Sequence, residues 1–234
     1  MSGRETTRMT TKVLATERVT SRLARLARPA PMPGARAPGI PGWVRQWRPP
    51  RPLGGCGVGP TLLSGADDNS GSVASYSDPV RYRHALFFQA ARALARACRC
   101  GKCSVAVVTF DRAACFGPVP LSRKSLRDLE AFLASVPPTS SHLAGALGRL
   151  EEVARAHDGP VVSAVCSDFE LFDPDLPRLY RRFGQLPGHP LAVVLRASPP
   201  QILSDLVPVV AVDTTAPRTA VADALAEALA VVRG

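Results

Sequence analysis

Short apolar runs rich in Val and Leu recur at residues 105–110, 161–166, 191–195 and 207–212. Between and around them lie segments with helical spacing of apolar residues, at 82–97, 125–136, 143–156, 176–183 and 219–231. This alternation predicts strands interleaved with helices. The strand runs are apolar at successive positions instead of every second one, as expected of parallel strands covered by helices on both faces. The expectation is an α/β, doubly wound, mostly parallel sheet flanked by helices, a Rossmann-like arrangement. In such sheets ligands bind beyond the carboxyl ends of the strands, so the residues just after each run are the place to look for chemistry.

Charge divides the chain before that region begins. The formal net charge is +10, but residues 1–53 carry 11 Lys/Arg against 2 Asp/Glu, whereas residues 54–234 carry 18 against 17. The basic character therefore belongs to a leader. Residues 11–28 mix arginines with leucines and valines at imperfect helical spacing, and residues 29–52 are dense in Pro and Gly, a composition that does not repay the entropy of ordering. The reading is a disordered basic leader and linker over 1–53, able to touch nucleic acid or another polyanion, followed by one domain over 54–234.

No apolar stretch approaches the length of a membrane-spanning helix, and no apolar block follows the first charges as in a secretory signal. A cytoplasmic location is expected. The Arg-rich, acid-poor start resembles a transit peptide, but the same Arg/Ala/Pro bias runs through the whole chain. Six cysteines in 234 residues are too few for a disulfide scaffold and are expected to be reduced.

Just before the first long helical segment the sequence reads ADDNSGSV, which sets Asp68, Ser70 and Ser72 in a D-x-S-x-S pattern. A carboxylate and two hydroxyls on one turn are hard oxygen ligands of the kind magnesium prefers. Such residues also crowd ordinary turns. Two later segments point to the same sheet edge: PPTSSHLAGAL (137–147) puts hydroxyls at a helix start, and the strand run VVSAVC is followed at once by Ser167, Asp168, Phe169 and Glu170.

In these three segments, and over about residues 58–234, the chain resembles the von Willebrand factor A domain. That family's metal-ion-dependent adhesion site combines a D-x-S-x-S turn, a Thr on a second loop and an Asp on a third. The resemblance implies Asp68, Ser70 and Ser72 as the first ligand loop, Ser141 in place of the Thr with Thr139 as the alternative, and Asp168 from VCSDF as the third. It implies a bound Mg²⁺, or Mn²⁺ or Ca²⁺ in its place, completed by an acidic residue of a protein partner, so that the domain serves metal-dependent protein–protein interaction. The chain departs from the family's pattern in having Ser at 141. The segment GPTLLSGAD is also poor in β-branched residues for a central first strand.

An enzymatic alternative uses the same oxygens to hold magnesium for hydrolysis of a phosphoryl group, but neither a general base nor a covalent nucleophile stands out. No G-x-S-x-G elbow, Walker A loop or G-x-G-x-x-G fingerprint is present. Cys98, Cys100 and Cys103 form C-x-C-x-x-C, a zinc-like spacing that lacks a fourth ligand, for which Cys115 is the nearest candidate in sequence. Cys166 falls within an apolar run and reads as core. His84, His142, His157 and His189 show no metal spacing and read as structural or solvated. Glu170, Asp173 and Asp175 read as a turn carrying helix N-terminal acids, with added negative field for a cation as the alternative.

Overall fold

A computed structural model describes residues 42–234, except 58, 77–81, 112–113 and 214. The polyanion contact expected of the leader falls on residues 1–41 and lies outside the described residues. Six strands form one sheet: β1 (Leu62–Asp67), β2 (Ser104–Thr109), β3 (Cys115–Pro120), β4 (Val161–Ser167), β5 (His189–Leu195) and β6 (Val209–Val212), in the order β3-β2-β1-β4-β5-β6. All neighbours run parallel except β3, which pairs antiparallel with β2 at the edge. Strand order reverses around β1, so β1 heads outward in both directions, to β2 on one side and β4 on the other. A crevice opens at that switch point, beyond the strand ends.

Among the described residues, eight helices connect and cover the strands: α1 (Gly42–Gln46), α2 (Gly71–Ala74), α3 (Arg83–Ala97), α4 (Arg123–Ser135), α5 (Ala144–Arg155), α6 (Leu176–Gly184), α7 (Gln201–Ser204) and α8 (Ala220–Arg233). One face of the sheet packs against α1, α3, α4 and α8, the other against α5, α6 and α7. Residues of one strand alternate between these layers, as the strand period requires: Leu63 of β1 joins the first core and Ala66 the second. The doubly wound architecture expected from the alternating pattern is the one observed.

β1 is a fully buried central strand despite its weak β propensity. Its small polar residues have specific work. Ser64 Oγ donates to the Val162 carbonyl at 3.1 Å and lies 3.0 Å from Ser163 Oγ on β4, so the buried hydroxyls satisfy one another. Gly65 lets α3 approach, because a Cβ there would lie 2.7 Å from the Phe87 ring. The antiparallel β3 was not foreseen. Its Pro118 and Pro120 suit only an edge, where a missing N–H faces no neighbour.

The packed body also takes in residues on the leader side of the 53/54 boundary. Val44 of α1 and Trp47 are buried in the first core, and Trp47 Nε1 donates to Asp223 Oδ1 of α8 at 2.8 Å. Among the described residues, no helix is long and apolar enough to cross a membrane.

Candidate metal centre

β1 ends at Asp67, and the chain turns through Asp68, Asn69 and Ser70 into α2. Asp67 and Asp68 are adjacent and both buried, yet they are held by different groups. The Asp67 carboxylate faces α3, where Arg83 Nε donates to it at 3.1 Å and His84 Nε2 forms a very short contact with its other oxygen. Burial alone would raise the Asp67 carboxyl, but Arg83 and His84 outweigh it and hold the group below its ordinary value. Arg83 also donates to the Asp68 carbonyl at 3.1 Å and to Asn69 Oδ1 at 2.8 Å, and Asn69 in turn donates to the carbonyls of Val136 and Pro137. This buried Arg83 network fixes the first loop and ties it to the second. Sequence reasoning missed Asp67, Asn69 and Arg83, and His84, read as structural or solvated, is a partner of Asp67.

Among the described residues, Asp68 has no cationic partner. One oxygen accepts from the Ser70 amide at 2.8 Å and the other from Ser167 Oγ at 2.6 Å. Burial raises the Asp68 carboxyl first, and the charge of Asp168 raises it further, against hydrogen bonds from Ser167 and Ser70 that lower it. Asp168 follows β4 directly and is 2 % exposed. Its oxygens accept from the Glu170 amide at 3.1 Å and from Tyr76 Oη at 3.3 Å. Phe169, next in the chain, takes a left-handed backbone with φ 58°, unusual for a side chain of this size. The same burial, joined by the charge of Asp168, raises the Tyr76 phenol.

The second loop meets the first through an isolated parallel bridge between Ser70 and Thr139, with the Thr139 amide donating to the Asn69 carbonyl at 3.0 Å. Ser70, Ser72, Thr139, Ser141 and Glu170 then line one cleft of about 560 Å³. Ser70 Oγ and Ser72 Oγ are 3.0 Å apart. Among the described residues, Thr139 Oγ1 is the buried side-chain oxygen left without a hydrogen-bond partner. Ser141 is also buried, and its carbonyl accepts from the Phe172 amide at 3.0 Å. Hydroxyls, two carboxylates with no cation between them and an orphaned threonine oxygen form a donor set that fits a small hard cation.

The acids beyond Asp168 divide by role. Asp173 accepts from the amides of Leu143 and Ala144 at 2.7 and 3.0 Å and caps the start of α5, while Asp175 caps α6 through the Arg178 amide at 3.0 Å. Both act as helix N-terminal acids, and Glu170 alone of the three lines the cleft. Cys166 is core, as expected, with burial pushing its thiol up to about 12.

No protein-family profile matches the chain, and no curated protein is similar to it in sequence. Solved structures are similar in fold. A von Willebrand factor type A protein from Catenulispora acidiphila superposes with a TM-score of 0.54 at 14% identity, over 75% of this chain and 43% of that one. Proximal thread matrix protein 1 from the mussel byssus superposes with a TM-score of 0.55 at 15% identity, over 77% of this chain and 47% of that one. The chain thus spans less than half the length of these structures. At such identity the likeness is one of architecture, and the six-stranded sheet with its flanking helices has the fold of a von Willebrand factor type A domain.

Proposed function

We propose that the domain holds a divalent cation, Mg²⁺ foremost, at the crevice beyond β1 and β4 and uses it to bind an acidic residue of a protein partner. The observation that carries this reading is Thr139 Oγ1, buried against the D-x-S-x-S turn with no hydrogen-bond partner among the described residues. An unpaired buried hydroxyl is costly unless a ligand completes it. Asp68, Ser70, Ser72 and Asp168 supply the remaining protein oxygens, and Thr139 takes the position first assigned to Ser141, which lines the same cleft. When bound, the cation offers an open position to a carboxylate from outside. The chain's own residues do the rest. Arg83 locks the first loop, Ser167 and the Ser70 amide orient Asp68, and Tyr76 orients Asp168.

A protein partner is favoured by the cleft's rim. Phe172 lines it at 70% exposure, and a large exposed aromatic beside a polar centre is the composition of an interaction hot spot. The enzymatic reading uses the same oxygens to hold the cation for phosphoryl hydrolysis, and adds the pair Ser140 Oγ and His142 Nδ1, 2.9 Å apart at the cleft's edge, as nucleophile and base. Capture of a partner from a lysate in Mg²⁺, abolished by EDTA and by Asp68→Ala, is expected. Partner binding unchanged by both treatments would sink the proposal, and phosphatase turnover lost in Asp168→Ala would support the enzyme instead.

A further inference from the structure

At the opposite end of the sheet, four cysteines meet. Cys56 lies on the segment entering β1, Cys98 closes α3, and Cys100 and Cys103 lie on the turn that enters β2. Their sulfurs all lie within 4.8 Å of one another. The separations are 3.7 Å for Cys56–Cys98, 3.4 Å for Cys98–Cys100 and 4.0 Å for Cys56–Cys103. A disulfide requires about 2.05 Å. Tetrahedral thiolates at about 2.3 Å from zinc stand about 3.8 Å apart along each edge, a value that these three separations bracket.

Topology explains the meeting. β1 and β2 are adjacent and parallel, with Leu62 opposite Ser104, so the residues entering each strand share one edge. The same rule removes Cys115. It begins the antiparallel β3 opposite Val108, near the far end of β2, and is not the fourth ligand.

The surroundings fit an anionic cluster. Backbone amides aim at the sulfurs: Thr61 N to Cys103 at 3.3 Å, Lys102 N to Cys100 at 3.4 Å and Cys103 N to Cys98 at 3.3 Å. Gly101, between two of the cysteines, takes φ +69° where no side chain is crowded out, the conformation that a tight ligand turn uses. Arg233 is independent of these. It is 4 % exposed, and its hydrogen bonds run to the Gly54 carbonyl, to Thr61 Oγ1 at 2.9 Å, to Cys103 Sγ at 3.4 Å and to Cys56 Sγ at 3.9 Å. No carboxylate pairs with it among the described residues. A buried guanidinium needs a counter-charge, and four thiolates around a divalent ion carry a net charge of about −2.

We infer that Cys56, Cys98, Cys100 and Cys103 form a closed tetrahedral zinc site, with Arg233 as its charge-balancing partner. Four protein ligands leave no open position, so the site is structural. It staples the segment before β1 to the α3–β2 corner and, through Arg233, to the last turn of α8.

The test measures metal on the full chain purified without chelator from zinc-supplemented cells. One zinc per chain is expected, and Co²⁺ replacement should give the sulfur-to-cobalt charge-transfer and tetrahedral d–d bands of a four-thiolate centre. Cys100→Ser, exposed and unable to disturb the core, should lose those bands, and Cys115→Ser should keep them. Arg233→Gln should weaken zinc about 10-fold. A metal-free chain that gives no cobalt bands on titration would overturn the site. So would bands that survive both Cys100→Ser and Cys56→Ser, or a disulfide among these cysteines in the protein as isolated.

Discussion

The two edges of the sheet are built by one topological rule and differ in chemistry. At the carboxyl edge, the loops leaving β1 and β4 and the loop between α4 and α5 bring together Asp68, Ser70, Ser72, Thr139 and Asp168, which are hard oxygen donors, many of them hydroxyls. At the amino edge, the segments entering β1 and β2 bring together four sulfurs. Oxygen donors of mixed strength with a cleft before them suit a small hard cation that keeps an exchangeable position. Thiolates enclosed by amides suit a soft ion held permanently. The same central strand thus carries oxygen donors at one end and sulfur donors at the other.

The sharpest way to break that contrast is to remove metal from each end in turn. Stripping the amino edge with a strong zinc chelator should lower the thermal midpoint by more than any single substitution at the carboxyl edge, because metal binding there is folding free energy. Leaving Mg²⁺ out of the buffer of a zinc-loaded chain, with no chelator present, should change the midpoint little and abolish partner capture. Calorimetry that showed the reverse order would contradict the division of roles.

A second prediction concerns the scaffold of the oxygen edge. Arg83→Ala leaves Asp67 buried without its guanidinium and should cost about 3 kcal/mol in urea unfolding. Its pH dependence follows from the direction of the shift. Asp67 is depressed in the folded state, by Arg83 and His84 against the opposing effect of burial. The ion pair's contribution is therefore present above the unfolded carboxyl value of about 4 and is lost as pH falls through the lower folded value. The gap between Arg83→Ala and the parent should be full at pH 7 and should narrow below pH about 4. A gap that widened on acidification would show that Arg83 stabilises the fold by some other contact.

How much of this was legible in the sequence depended on what each residue touches. β4 and β5 were plain because Val161–Cys166 and Leu191–Leu195 bury both faces of a central strand. β1 was obscured because Ser64 and Gly65 answer to partners distant in the chain, Ser163 and Phe87. β3 was hidden by prolines that only an edge position permits. The helix at Gly42–Gln46 was hidden by the Pro/Gly content around it, although Trp47 was the signal that something there packs. Of the site, Asp68, Ser70, Ser72 and Asp168 were readable as a pattern. The enclosure of Thr139 Oγ1 without a partner was not, since it depends on how the second loop packs against the first. Cys56 stands far from Cys98 in sequence, yet the parallel pairing of β1 with β2 makes the segment before β1 the natural source of a fourth ligand. Cys115 was nearer in sequence and wrong in space.

The smallest structural change carries the most direct test. Thr139→Val keeps shape and removes a hydroxyl that makes no hydrogen bond among the described residues, so stability should hold or rise slightly. Manganese titration of the zinc-loaded chain, read by the loss of the free-ion paramagnetic signal, then isolates the oxygen edge, because Mn²⁺ competes poorly for thiolates. The account predicts one Mn²⁺ bound by the parent chain and affinity weaker by about 10-fold or more in Thr139→Val, an order of magnitude comparable to the loss of a metal-site contact. No saturable Mn²⁺ binding by the parent chain, with the fold intact, would contradict a cation site at this cleft, and equal affinity in the two proteins would remove Thr139 from it.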